Sequence, residues 1–282
     1  MKLSIETYVM RERFGDERAI DMIADAGFDA VDYSFYWASP ARDMLGDDYA
    51  DRARAIRAHL DARGIVCSQT HTPFDVPTGS AFDLTNPKFV RLVRSLEASA
   101  ILGADNAIVH RVKEPEGVEP LDYFRTFYLS LLPYAEKYRI HIAVENLFEG
   151  KPSPRYQGVL NKPELLTDFI RSLGSEWFTA CVDVGHATIT GTAPQDFIAG
   201  MDKSLLRALH IQDNDGMYDC HWIPYQGHHD WNAIMKALSD IGYEGDLTME
   251  VFAALNKLPD NLIADALVYT AKIGRELIGK MK

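Results

Sequence analysis

A chain of 282 residues, 47% hydrophobic and 25% charged, has enough apolar content for a large core and is not disordered or low-complexity in composition. No apolar run approaches the ~18 residues of a membrane-spanning helix, and three scattered cysteines, Cys67, Cys181 and Cys220, form neither a disulfide framework nor a CxxC metal site. The net charge of −12, from 29 basic and 41 acidic residues, disfavours a nucleic-acid partner; a start, MKLSIETY, that runs directly into strand pattern without a basic and apolar leader predicts a cytoplasmic protein with no membrane association.

In chain order, the first predicted strand is Leu3 to Tyr8, followed by a helix over about Glu17 to Asp25 that stops at Gly27. Strand two is Phe28 to Phe35, and helix two, about Asp48 to Arg63, stops at Gly64. Strand three, Ile65 to His71, is closed by Thr72-Pro73. Helix three runs from Pro87 to Leu102, with Asn86 as N-cap and proline at its first position. Strand four is Asn106 to Val112 and helix four about Pro120 to Tyr138. Strand five, His141 to Asn146, leads through a loop holding Pro152, Pro154 and Gly158 to helix five, about Pro163 to Leu173. Strand six is Phe178 to Asp183, and helix six, about Pro194 to Met201, is short. Strand seven, Leu206 to Gln212, is separated by a long loop, Asp213 to Asp230, from helix seven, about Trp231 to Ile241. Strand eight is Asp246 to Phe252 and the last helix about Asp260 to Lys280. Strict alternation implies a parallel sheet, and eight units imply α/β architecture closed into a single (β/α)8 TIM barrel, one domain over residues 1–282.

Side chains two apart on a strand share a face. Taking the inward face as the one carrying the polar strand-end residue gives Gln69 and His71, Ile108 and His110, Ala143 and Glu145, Cys181 and Asp183, Ala208 and His210, and Thr248 and Glu250. The other parity, Val109, Val144, Val182, Leu209, Ile211, Met249 and Val251, is aliphatic and predicted to pack on the helices. Six consecutive strands thus place an acid or a histidine on the C-terminal rim, where barrel active sites lie.

Glu145, Asp183, His210 and Glu250 form a set of three carboxylates and one imidazole that calls for one divalent metal ion, Mn²⁺, Mg²⁺, Co²⁺ or Zn²⁺. Such an ion binds neighbouring sugar oxygens and stabilises an enediolate; Glu145 and Glu250, from different sides of the mouth, are the expected catalytic acid/base pair. His71, His110, His186 and His221 are candidates to bind substrate oxygens, relay protons or hold further metal, and Asp219, two residues before His221, is a candidate for additional metal or substrate. His59, His228 and His229 are expected to face solvent and His141 to be structural. Phe35, Trp37, Phe74 and Trp222 either wall the pocket or pack loops, and Arg111, Lys151 and Arg155 are candidate phosphate contacts.

The motifs QTHTPF at 69–74, IVH at 108–110, VENL at 144–147, VDVGH at 182–186, LHIQDNDG at 209–216, DCH at 219–221 and TMEV at 248–251 cover nearly the whole chain. In that order they resemble the sugar phosphate isomerase/epimerase group of xylose-isomerase-like barrels, related to D-tagatose 3-epimerase and endonuclease IV. The resemblance implies single-metal ligation by Glu145, Asp183, His210 and Glu250, an acid/base pair Glu145 and Glu250, and a substrate contact at His186. It departs from the tagatose-type branch at Gly216, near a place where that branch has an arginine. Residues matching the three-zinc set of the endonuclease IV branch are also present, namely His71, His110, Glu145, Asp183, His186, His210, Asp219, His221 and Glu250; Leu147, after the Glu-Asn pair, stands where that nuclease more typically has threonine.

The leading expectation is therefore a divalent-metal-dependent isomerase or epimerase of a keto-sugar or sugar derivative. The alternatives are a lyase of the same barrel (inosose dehydratase-like, or eliminating from a 3-keto-glycoside), an endonuclease IV-like zinc phosphodiesterase, and a non-catalytic carbohydrate-binding subunit. The expected partner is a small-molecule sugar, and a homo-oligomer is compatible with this architecture.

Overall fold

A computed structural model describes residues 1–36, 39–75, 79, 81–152 and 155–281. Trp37 and Pro154 lie outside them. The elements are β1 (Leu3–Glu6), α1 (Tyr8–Phe14), α2 (Asp16–Asp25), β2 (Ala30–Ser34), α3 (Tyr49–Arg63), β3 (Val66–His71), α4 (Pro87–Leu102), β4 (Asn106–Val109), α5 (Pro120–Tyr138) and β5 (His141–Glu145). They continue with α6 (Pro163–Ser172), β6 (Phe178–Asp183), α7 (Val184–Ile189), α8 (Pro194–Gly200), β7 (Leu206–His210), α9 (Trp231–Asp240), β8 (Leu247–Met249), α10 (Phe252–Asn256) and α11 (Ile263–Gly279).

The eight strands run in the order β7-β6-β5-β4-β3-β2-β1-β8, and every ladder between them is parallel. The remaining seam, between β7 and β8, is drawn together where the Ile211 amide donates to the Thr248 carbonyl (2.8 Å) and the Glu250 amide to that of Ile211 (3.0 Å). The result is a nearly closed (β/α)8 barrel. Among the described residues no helix is long and apolar enough to cross a membrane.

Alternation sorts the strand residues onto two faces. Val109, Val144, Val182, Leu209, Ile211, Met249 and Val251 belong to the large core between barrel and helices, as the sequence parity requires. Inside the barrel, Ile108, Ala143, Cys181 and Ala208 make a separate small apolar cluster. The opposite inner wall is polar: Ser4, Glu6, Asp32, Ser34 and Gln69 are all buried. Ser34 Oγ donates to Glu6 Oε1 (2.8 Å) and Gln69 Nε2 to Asp32 Oδ2 (2.8 Å). An irregularity in the β2–β3 register between Val31 and Asp32 pairs Asp32 with Gln69.

Helix ends follow local chemistry. The Asn86 side chain accepts from the Lys88 amide and caps α4, while Gly64 and Gly103 end α3 and α4 in the left-handed conformation that glycine adopts without strain. Three short helices, α1, α7 and α10, were not expected. The first strand ends at Glu6 rather than Tyr8, because Thr7 and Tyr8 turn into α1. Strand four ends at Val109, three residues early, and β8 occupies only Leu247–Met249 of the predicted Asp246 to Phe252, because Phe252 opens α10.

Candidate metal centre

The strands β5 to β8 deliver the core of the site. Asp183 ends β6 and caps α7, its Oδ1 accepting from the His186 amide (2.7 Å). Its own amide donates to Asn146 Oδ1 (2.7 Å), and Asn146 Nδ2 donates back to its carbonyl (2.9 Å), so the strand end is held from both sides. Gln212, just beyond β7, is buried against Gly185 so tightly that a Cβ there would sit 2.5 Å from the amide carbon Cδ. From that position its Oε1 accepts from the His221 amide (3.0 Å) and its Nε2 donates to Asp219 Oδ1 (2.7 Å), lying also 3.3 Å from Asp183 Oδ2. A single amide therefore ties the loop after β7 to the end of β6.

Glu145, Asp183, His210 and Glu250, all buried, each bring one ligand atom to within 4.8 Å of the others. His210 Nδ1 lies 3.0 Å from Glu145 Oε1 and 3.3 Å from Glu250 Oε2. Glu145 Oε2 and Glu250 Oε2 are buried and have no hydrogen-bond partner among the described residues, although His110 Nε2 stands 2.9 Å from the former. Buried carboxylate oxygens left so are costly unless a cation occupies the space between them. The donor set, three oxygen ligands and one nitrogen, fits a divalent ion.

Two further groups meet the same proximity: His71, His110 and Glu145, and His186, Asp219 and His221. In the first, His71 Nε2 and His110 Nε2 are 2.8 Å apart. In the second, Asp219 Oδ2 lies 2.9 Å from His221 Nε2 and 3.5 Å from His186 Nε2. His221 Nδ1 donates to the Glu250 carbonyl (3.0 Å), which turns Nε2 toward Asp219. A fourth group, Asp32, His71 and His210, lies on the polar inner wall.

The side chains open into a cavity of about 550 Å³. Its floor holds Glu145, Glu250 and the imidazoles of His71, His110, His186 and His221; its walls include Phe74, Leu147, Phe148 and Phe252, with Arg111 and Lys113 at the β4 side. Phe74 stacks on His110 (centroids 4.4 Å apart), and the ring of Phe252 lies 4.1 Å from that of His221. The size is that of a small-molecule site.

The electrostatics are tightly interlocked. Burial opposes the charge of Glu145, but the nearby imidazoles of His210, His110 and His186 outweigh it and hold the carboxyl well below its usual range. Burial wins at Glu250, lifting it well above that range despite His210 and His221. His71 is pushed far down by burial and by the neighbouring His110 and His210. Burial would also depress His221, yet Asp219 and Glu250 overcome it and raise the imidazole to about 10. His186 is likewise raised against burial, by Asp183 and Asp219.

The structure thus gathers Glu145, Asp183, His210 and Glu250 with His71, His110, His186, His221 and Asp219 at one end of the barrel. It also corrects several expectations. His229 does not face solvent: its side chain is 2% exposed, Nε2 pairing with Thr188 Oγ1 (2.8 Å), because the loop Asp213 to Asp230 folds inward on buried Asp213. His59 is only partly exposed, beside Asp21 (3.1 Å), whereas His228 is exposed. Phe35 is core and Trp222 pairs its backbone with Asp213, so of the described aromatic candidates only Phe74 lines the cavity. Arg111 lines it, in an ion pair with Glu149 (2.7 Å), while Arg155 donates to the Thr188 carbonyl (3.2 Å) and Lys151 is exposed. Missed in the sequence were Glu6, Asp32, Gln212, Lys113, Phe148 and Phe252. The parity rule applied to strands three to eight finds Glu6 and Asp32 when extended to strands one and two.

The sequence profile of the xylose isomerase-like TIM barrel family matches residues 20–272. The chain is 27% identical over 190 residues to the uncharacterized protein MJ1311 of Methanocaldococcus jannaschii, a match covering 64% of this chain and 62%, less than two thirds, of that relative. It is 27% identical over 270 residues to the uncharacterized protein y4fM of Sinorhizobium fredii, covering 85% of this chain and 83% of the relative. Among solved structures it is similar to the IOLI protein with a bound zinc atom (TM-score 0.77, 19% identity, 100% of this chain and 99% of the other). It is also similar to D-psicose 3-epimerase with D-tagatose from Clostridium cellulolyticum H10 (TM-score 0.73, 16% identity, 99% of each chain). At these identities the structural likeness speaks for the fold.

Proposed function

The chain belongs to the xylose isomerase-like TIM barrel family, and from that premise we propose that it is a divalent-metal-dependent isomerase or epimerase of a keto-sugar or sugar derivative. The observation that carries the reading is the convergence of Glu145 and Glu250, which line the cavity, with the fully buried Asp183 and His210, and with buried carboxylate oxygens that have no hydrogen-bond partner among the described residues. Those four side chains would hold the ion. When bound, it supplies Lewis-acid polarisation of neighbouring sugar oxygens and stabilises the negative charge that develops on them.

The remaining work falls to the chain itself. One of Glu145 and Glu250 takes the proton from the carbon beside the sugar carbonyl, and the other returns a proton. Return to the opposite face of the same carbon inverts it, and delivery to the neighbouring carbon moves the carbonyl. His186 and His221, tied to Asp219, present polar edges to sugar hydroxyls, and Phe74, Phe148 and Phe252 shut water from the apolar side of the ring. The zinc in the IOLI structure and the sugar in the psicose epimerase structure, on the same fold, support this assignment.

The test is a panel of ketoses and keto-sugar derivatives incubated in D₂O with Mn²⁺ or Zn²⁺, followed by mass spectrometry and NMR. Deuterium incorporation with conserved carbon skeleton and oxygen count supports the proposal; loss of water or an aglycone assigns the lyase reading instead. A second reading, a three-metal phosphodiesterase, is favoured by one observation: the three groups built on His71–His110–Glu145, Glu145–Asp183–His210–Glu250 and His186–Asp219–His221 lie around one cavity. Metal stoichiometry separates the two, since one tightly held ion per chain supports the sugar reading and three support the hydrolase.

A further inference from the structure

Behind the four side chains proposed to hold the ion, the polar inner wall of the barrel approaches His210 from its other edge. His210 Nδ1 faces Glu145 Oε1 (3.0 Å) and Glu250 Oε2 (3.3 Å), whereas Nε2 faces Asp32 Oδ2 (3.4 Å). Asp32 has no exposed surface. Gln69 Nε2 donates to the same Oδ2 at 2.8 Å and so aims it. His210 Nε2 and Asp32 Oδ1 are both buried without a hydrogen-bond partner among the described residues. The imidazole plane is set by His71, stacked on it with centroids 5.0 Å apart and planes 22° from parallel.

We infer that Asp32 is a positioning residue for His210: its carboxylate draws the ring proton to Nε2 and leaves the Nδ1 lone pair facing the site, with Gln69 holding the carboxylate in register. The inference rests on the proposed metal site. An imidazole can coordinate only through a nitrogen without a proton, and the proton goes to the more basic surroundings. On the Nδ1 side, two carboxylates compete for it. Asp32 is the counterweight on the Nε2 side. Carboxylates that receive the second ring N–H of a coordinating histidine fix its tautomer and raise its basicity, and their loss costs metal affinity by about 10- to 100-fold.

Asp32, His71 and His210 also meet the proximity needed to hold a cation of their own. Filling that position and the main one together would require His210 to coordinate through both nitrogens and give up both protons. A hydrogen bond donated by Nε2–H to Asp32 needs no such loss, and Oδ2, 3.4 Å away, is the carboxylate oxygen that this edge faces.

The experiment titrates the full-length, chelator-stripped protein with Mn²⁺ alone, reading free ion by electron paramagnetic resonance. It also records the His210 Nε2–H proton resonance in the Zn²⁺-loaded protein. Asp32→Asn keeps the side chain's shape and removes its charge. The expected results are Mn²⁺ affinity weakened about 10- to 100-fold, and an Nε2–H resonance that is downfield and slow to exchange in the wild type but moved upfield in the variant. Gln69→Leu, which leaves the carboxylate in place but unaimed, weakens Mn²⁺ binding several-fold and guards against a misfolded Asp32 variant. Wild-type-like Mn²⁺ affinity in both variants, while His210→Ala loses binding, overturns the inference and leaves the metal site standing. Undiminished binding by His210→Ala sinks both, and two ions per chain with Asp32-dependent occupancy overturns the orienting role in favour of a second cation.

Discussion

Replacing Gly185 by alanine adds one methyl group at a crowded point beside the site. Gly185 lies within α7, and its backbone is not in the left-handed region, so the substitution meets no conformational barrier of its own. The obstacle is Gln212, whose Cδ, Nε2 and Oε1 would lie 2.5, 2.7 and 2.7 Å from the new Cβ. A terminal amide normally swings aside cheaply. This one is pinned by the His221 amide (3.0 Å) and Asp219 (2.7 Å). Relief of the overlap therefore strands at least one buried donor, and overpacking with one lost buried hydrogen bond costs about 2–4 kcal/mol. For a chain of this size that is a fall in melting temperature of roughly 3–7 °C, read by scanning fluorimetry, with weakened metal binding because Gln212 also touches Asp183. Gln212→Ala removes the three crowded atoms, so adding Gly185→Ala to it should cost under about 1 kcal/mol, a coupling that a double-mutant cycle measures. If Gly185→Ala destabilises equally in both backgrounds, the steric reasoning is wrong.

Glu145→Gln and Glu250→Gln should each lower turnover by about 10²–10⁴-fold, whereas Asp183→Asn should act chiefly through metal affinity; a Glu250→Gln enzyme with normal turnover would remove that residue from proton transfer. Asp213→Asn should destabilise the loop after β7, since the buried carboxylate accepts from the Tyr225 amide (2.9 Å), Trp231 Nε1 (3.0 Å) and the Asn214 amide (3.0 Å). Limited proteolysis should then cut within 213–230, and an unaltered digestion pattern would count against that anchoring. Asp16, outside the cavity lining, is partly buried beside Arg11 (2.6 Å): desolvation raises its carboxyl, but the guanidinium outweighs it and depresses the folded value. Its contribution to stability is therefore complete above the unfolded value of about 3.9 and is lost as pH falls through the lower folded one. Asp16→Asn should be less stable at neutral pH, with a shallower decline in urea midpoint below pH 4; an identical acid limb in wild type and variant would refute it.

The alternation of aliphatic strands and helices, punctuated by glycine and proline, made the barrel readable from the chain alone, and period-two parity put His71, Glu145, Asp183, His210 and Glu250 on one face. Local pattern carries little signal for the short turns by which the chain leaves a strand. The helices α1, α7 and α10 are five to seven residues long, too short for a helical period to register. Sequence neighbours mislead at His229: His228 and Asp230 are exposed, but contacts with Asp213, Trp231 and, at long range, Thr188 bury the His229 side chain. Gln212 was invisible for a similar reason: its importance comes from the missing side chain at Gly185, in the helix that follows a different strand.

The lower tier of the barrel is two-sided, with Glu6, Asp32, Ser34 and Gln69 along β1 to β3 facing Ile108, Ala143, Cys181 and Ala208 along β4 to β7. Anyone wishing to retune the centre without exchanging a coordinating side chain has one flank of charged and polar groups that speaks to it electrically. There, a change of one charge is felt through a poorly screening interior, while at Ile108, Ala143 and Ala208 on the other flank a substitution transmits shape, the Cys181 thiol beside His210 being the polar exception. Metal preference and thermal robustness can therefore be selected on separate strands of the same protein.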